Sequence, residues 1–162
     1  METLGSLIDK LTIVNLKRFH NHDNWQEATL KIQNRQLKEE IDSYITSALI
    51  GTIPKEKLIS PATKIYKKEG NELTEISGDV GFLTSELATI NCKVWHEVEK
   101  TYDFEKIPPE EKNKVVKQLT RLNLQRSQCI DLIDLQFQKL IIRRETKKKI
   151  ASTPIDKSFI GD

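Results

Sequence analysis

Cysteine is scarce in this chain. Only Cys92 and Cys129 occur, with no Cys-x-x-Cys spacing. That excludes a disulfide scaffold and a zinc-spaced set, and it predicts two reduced, buried thiols. Long apolar runs are missing as well, and none approaches the roughly 18 residues of a membrane span. The first residues lack the basic-then-apolar order of a signal peptide. The cytoplasm, with no membrane association, is the expected setting. Charge of one sign is not in excess either: 26 Lys and Arg face 24 Asp and Glu, for a net charge of +2. That is too little to argue for nucleic acid as a partner. No Gly-rich phosphate loop, Gly-x-Ser-x-Gly or His-Glu-x-x-His is present, so nucleophilic catalysis has no visible candidate. The balance leans away from an enzyme.

What is present reads as helix. At 162 residues, 37% hydrophobic and 31% charged, the chain is one soluble domain's worth. Leu4, Leu7, Ile8, Leu11, Val14 and Phe19 recur at helical spacing over residues 3–20, with Ile13 and Leu16 on the other side. A helix apolar on two sides is sandwiched between neighbours or faces a partner chain. Asn24 with Glu27 reads as a capping box opening a second helix, which Gly51 and Pro54 end. A third helix runs from about Asp79 to Tyr102. A fourth starts at Pro108-Pro109-Glu110-Glu111 and continues to about Lys149, ending in the basic cluster Arg143, Arg144, Lys147, Lys148 and Lys149.

The expected architecture is therefore all-α: a four-helix bundle built from two repeated helical hairpins. Repeat one spans 3–51 and repeat two 79–149, within a single helical domain 1–150. Between them lies a short irregular or β-hairpin insert, 52–78, whose possible strands fall in 64–76 around Gly70-Asn71. Residues 151–162 form a tail or an arm onto another subunit. A homodimer or higher homo-oligomer is expected.

The repeat rests on an echo. Asn15-Leu16-Lys17-Arg18-Phe19-His20 and Asn91-Cys92-Lys93-Val94-Trp95-His96 both fit Asn-x-Lys-x-aromatic-His. Polar residues also stand where a plain bundle needs apolar ones. At about 100° per residue, Asn123, Arg126 and Asp134 fall in or beside the fourth helix's stripe, Asn34 within the second's, and Asn15 and Asn91 on the shoulders of theirs. Buried amides and guanidinium groups need partners. Two explanations compete. One is an internal polar network that fixes helix register. The other is a cleft for an anionic ligand, with Arg126 offering its bidentate fork. In the second, the ligand-binding residues are Asn15, Lys17, His20, Asn91, Lys93, Trp95, His96, Asn123 and Arg126. His20 and His96 also suit the negative helix C-terminus without any ligand. His20-x-His22-Asp23 is a weak metal-chelating pattern that the second copy lacks.

Acid pairs give an alternative. Glu39-x-x-Asp42 and Asp131-x-x-Asp134 place carboxylates one turn apart, a spacing that can hold Mg²⁺ with a nucleotide's phosphates. All-α nucleotide pyrophosphohydrolases use such pairs, and the likeness to them is loose. Exposed, solvated faces contain such pairs by chance.

Leu7-Ile8-Asp9-Lys10-Leu11-Thr12-Ile13-Val14-Asn15-Leu16-Lys17 resembles the opening of an uncharacterised bacterial domain-of-unknown-function family often encoded near glycosyltransferases in surface-polysaccharide loci. Arg121-Leu122-Asn123-Leu124-Gln125-Arg126, leading to Ile130-Asp131-Leu132-Ile133-Asp134, resembles that family's second signature, with Ser127 where the pattern usually has Asn. The Lys-x-Trp-His element matches best at Lys93 to His96, and Phe19 replaces Trp in the first copy. The resemblance covers the four helices and implies an all-α fold without an established activity. The expected function is non-catalytic binding of a phosphate-bearing small molecule, a nucleotide or nucleotide sugar, with no cofactor and no metal. The alternatives are a Mg-dependent nucleotide phosphohydrolase using Glu39, Asp42, Asp131 and Asp134, and a structural adaptor acting through oligomerisation or a partner enzyme.

Overall fold

The computed structural model describes residues 2–65 and 67–152. Four α-helices, α1 (Leu4–His20), α2 (Asn24–Ile50), α3 (Val80–Tyr102) and α4 (Pro109–Ser152), account for most of them. Each starts where its sequence supplies acceptors for free N–H groups. Thr3 and Ser6 form a reciprocal capping box on α1. Asp23, rather than the expected Asn24, caps α2 by accepting from Trp25 N, and Asn24 becomes the first helical residue. Asp79 accepts from Phe82 N at 2.8 Å and opens α3. Pro108 and the acids Glu110 and Glu111 open α4. Gly51, at φ 83, takes the left-handed position that ends α2.

α1 is the central element. It packs against α2, α3 and α4, while α3 and α4 lie along each other. This accounts for its apolar residues on two sides. The core joins Leu4, Ala48, Leu83, Leu87, Ile90, Leu122, Cys129, Ile133 and Phe137. One small residue lets α1 and α4 approach closely. A Cβ on Gly5 would stand 2.4 Å from the Ile130 carbonyl oxygen, so a side chain there is sterically excluded.

The 52–79 segment contains no strand among the described residues, only a 3-10 turn at Lys55–Lys57. The β-hairpin alternative is corrected accordingly. Ile65 is fully exposed, so the segment lacks the alternating buried face a hairpin needs. Leu58 anchors the segment instead, with no exposed surface. Burying it contributes about 2 kcal/mol. Asp131 on α4 ties the segment down, its carboxylate accepting from Ala62 N, Thr63 N and the Thr63 hydroxyl. A second tie runs from Arg121 to the Glu72 carbonyl.

α4 has 44 residues, or about 66 Å at 1.5 Å each. Among the described side chains Ile141 is its last buried one, and Glu145 still pairs with Lys55. The turns beyond carry exposed Lys147 and Lys148. The expected tail lies mostly outside the described residues. No helix among the described residues is long and apolar enough to cross a membrane.

Candidate functional site

The polar residues of the helical stripes turn mostly to one another. Asp9 is 5% exposed, deep between α1, α3 and α4. It accepts from Arg126 Nε at 2.7 Å and from Arg126 Nη2. It also accepts from Asn91 Nδ2 at 2.9 Å, and the same amide reaches the Thr12 hydroxyl at 2.7 Å. The Asp9 hydrogen bonds raise the Arg126 pKa above its ordinary value, against the opposing effect of burial. Asn34 donates to Asn15 at 2.7 Å and joins α2 to α1. Asn123 is exposed and donates to the Leu119 carbonyl of its own helix. Of the nine candidate ligand-binding residues, Asn15, Asn91, Asn123 and Arg126 are thus engaged in binding the helices together or in bonding to the backbone. Asp9 is the group that composition and stripe geometry missed. Its signal is local: Gly5, Asp9 and Thr12 lie at i, i+4 and i+7 and form a face of α1 without a bulky apolar residue.

The two Lys-x-aromatic-His stretches do meet. The His20 ring stacks on Trp95, with centroids 4.9 Å apart and planes 14° apart. His96 stands edge-on to His20 at 6.3 Å. Glu99 accepts from Trp95 Nε1 at 2.9 Å and contacts His96 Nδ1 at 3.2 Å, and these two hydrogen bonds, that to His96 foremost, hold its carboxyl below the usual range. Beside this stack a groove of about 540 Å³ runs between the C-terminal end of α1 and the first turns of α2. Lys17, His20, Trp25, Gln26, Gln33 and Trp95 line it, and no carboxylate does. Trp25, which is not among the nine candidates, is 75% exposed on its rim. Lys93 lies elsewhere, in a pocket with Glu75 and Glu86. The nine residues therefore do not form one cleft.

The four carboxylates of the metal alternative are not brought together. Glu39 and Asp42 are exposed on α2. Asp131 is engaged by the 52–79 segment, and Asp134 is buried against the start of α1, accepting from Gly5 N at 2.7 Å. Among the described residues no group of three or more His, Cys, Asp or Glu could hold a metal ion. His20, His22 and Asp23 do not form such a group either. No protein-family model matches the chain, and neither a curated protein nor a solved structure matches it.

Proposed function

We propose that the groove beside Trp95 holds a nucleotide or nucleotide sugar without transforming it. The observation that carries this reading is a stacked His20–Trp95 pair, a second tryptophan on the rim and the Lys17 ammonium, together lining one groove free of carboxylates. A nucleobase is a planar π-system, and offset stacking on an aromatic adds about 1 kcal/mol beyond the area buried. Lys17 offers a point charge to phosphate. Gln26 and Gln33 supply amides that can pair with a base edge. A volume of about 540 Å³ lies within the roughly 300–1,000 Å³ typical of small-molecule sites. The duplicated Asn-x-Lys-x-aromatic-His stretch is, on this reading, a repeated element whose two ends build one site.

Trp25 and Trp95 are the only tryptophans in the sequence, so tryptophan emission, excited selectively over tyrosine, reports on this groove alone. Nucleotides and nucleotide sugars are titrated with and without Mg²⁺. The expected result is saturable quenching that needs no Mg²⁺. Trp95→Leu should weaken it by at least about tenfold, the loss of roughly 1.4 kcal/mol. Lys17→Ala should weaken nucleotides but not the matching nucleosides. A titration without quenching ends the proposal. It would favour a docking end for a partner protein, a reading supported by the exposure of Phe19 (82%) and Tyr102 (79%).

A further inference from the structure

A second cavity, of about 570 Å³, opens between α4 and the 52–79 segment. Lys64, Asn123, Arg126 and Ser127 supply polar groups over a floor of Leu124 and Ile130, and no carboxylate lines it. It shares no lining residue with the groove beside Trp95. The Asp131 staple explains how Lys64 comes to be there. By holding Ala62 and Thr63 it fixes the residue before Lys64 against α4, one helical turn from Ser127. Apart from Asn123, which donates to the Leu119 carbonyl, the polar side chains keep free donors. Among the described residues Lys64 has no ion pair, the Ser127 hydroxyl has no hydrogen bond, and Arg126 gives Asp9 only Nε and Nη2, leaving Nη1 free. Asp9 lies behind the guanidinium, so the ammonium of Lys64 sets the sign of the cavity.

We propose that this cavity is a binding site for a small phosphomonoester. Lys64 Nζ, Ser127 Oγ and Arg126 Nη1 take the phosphoryl oxygens, and the organic part rests on Leu124 and Ile130. The free N–H and O–H groups of Lys64, Ser127 and Arg126 suit the lone pairs of an oxyanion. The volume exceeds what a bare anion fills, which points to an ester.

The test is a titration of the ¹⁵N-labelled chain with inorganic phosphate and with glycerol 3-phosphate, at ionic strength held constant with chloride. Saturable amide shifts are expected at Thr63, Lys64 and Ser127, with glycerol 3-phosphate the tighter probe. Lys64→Ala and Ser127→Ala, both at solvent-accessible positions, should each weaken it by about tenfold, the loss of one charge-assisted hydrogen bond. Lys148→Ala, on the far end of α4, should leave it unchanged. Shifts that do not saturate, shifts confined to Arg143–Lys148, or wild-type affinity in either cavity variant would overturn the proposal. Arg126→Ala is not a fair test, because it strands Asp9 as a buried unpaired charge. Amide shifts at Thr63, Lys64 and Ser127 read this cavity and tryptophan quenching by nucleotide reads the groove beside Trp95, so the two proposals are tested by separate signals.

Discussion

Asp134 is the residue whose chemistry departs furthest from its sequence appearance. It is 1% exposed, and its Oδ2 has no hydrogen-bond partner among the described residues. Burial pushes its carboxyl up to about 6, partly offset by hydrogen bonds from Thr3 and Gly5 and reinforced by the charge of Asp131. Burial, and then the Asp134 charge, push the nearby Tyr44 hydroxyl up to about 12. An acid with a raised folded-state pKa supports folding most at low pH, where both folded and unfolded forms are protonated. That support is lost as pH climbs through about 6. From about pH 4 to about pH 7 the loss amounts to roughly 2 kcal/mol. Urea unfolding across this range should show it, and Asp134→Asn should remove that part of the slope, since an amide oxygen still accepts from Gly5. A slope unchanged in the variant would mean that other carboxylates set the pH response. Single residues were the least legible scale. The helical wheel marked Asp134 and Arg126 as stripe neighbours. The guanidinium's partner is Asp9, because which carboxylate a guanidinium meets depends on helix-packing offsets that no one-helix pattern contains.

The helices themselves were legible, because hydrophobic stripes, caps and proline positions are local physics. Their starts and ends agree with the sequence reading to within a few residues, apart from the shift of the α2 cap to Asp23. What connects them was not legible. A 3.6-residue period gives no sign that Leu58 plugs the core or that Asp131 grips Ala62 and Thr63. Cys92 shows the same limit: it is exposed, contrary to the expectation of two buried thiols, and only Cys129 is buried, its thiol pushed up to about 11 by burial foremost. At this scale the decisive contact is Gly5 against the backbone of α4. Alanine is the better helix former by about 1 kcal/mol. Even so, Gly5→Ala should lower stability by about 2 kcal/mol, because a Cβ at 2.4 Å from a carbonyl oxygen forces the helices apart. Differential scanning calorimetry should record a Tm lower by on the order of 5 °C. A Tm at or above that of the wild type would mean that α1 can shift at no cost.

At the scale of the molecule, a run of side-chain hydrogen bonds leads from the second cavity to the helix that walls the first. Arg126 borders the second cavity and grips Asp9, and Asp9 holds Asn91. One turn further along α3 stands Trp95, in the wall of the first groove. Whatever draws the guanidinium towards a bound phosphoryl group also alters its hold on Asp9, and so the footing of the helix that carries Trp95. Thermodynamic reciprocity then fixes the consequence: by whatever factor the phosphoester changes nucleotide affinity, the nucleotide must change phosphoester affinity equally. Titrating each ligand with the other at saturation should return matching factors different from one. A factor of one in both directions would mean that the Asp9 network is rigid and that the two proposed sites are independent.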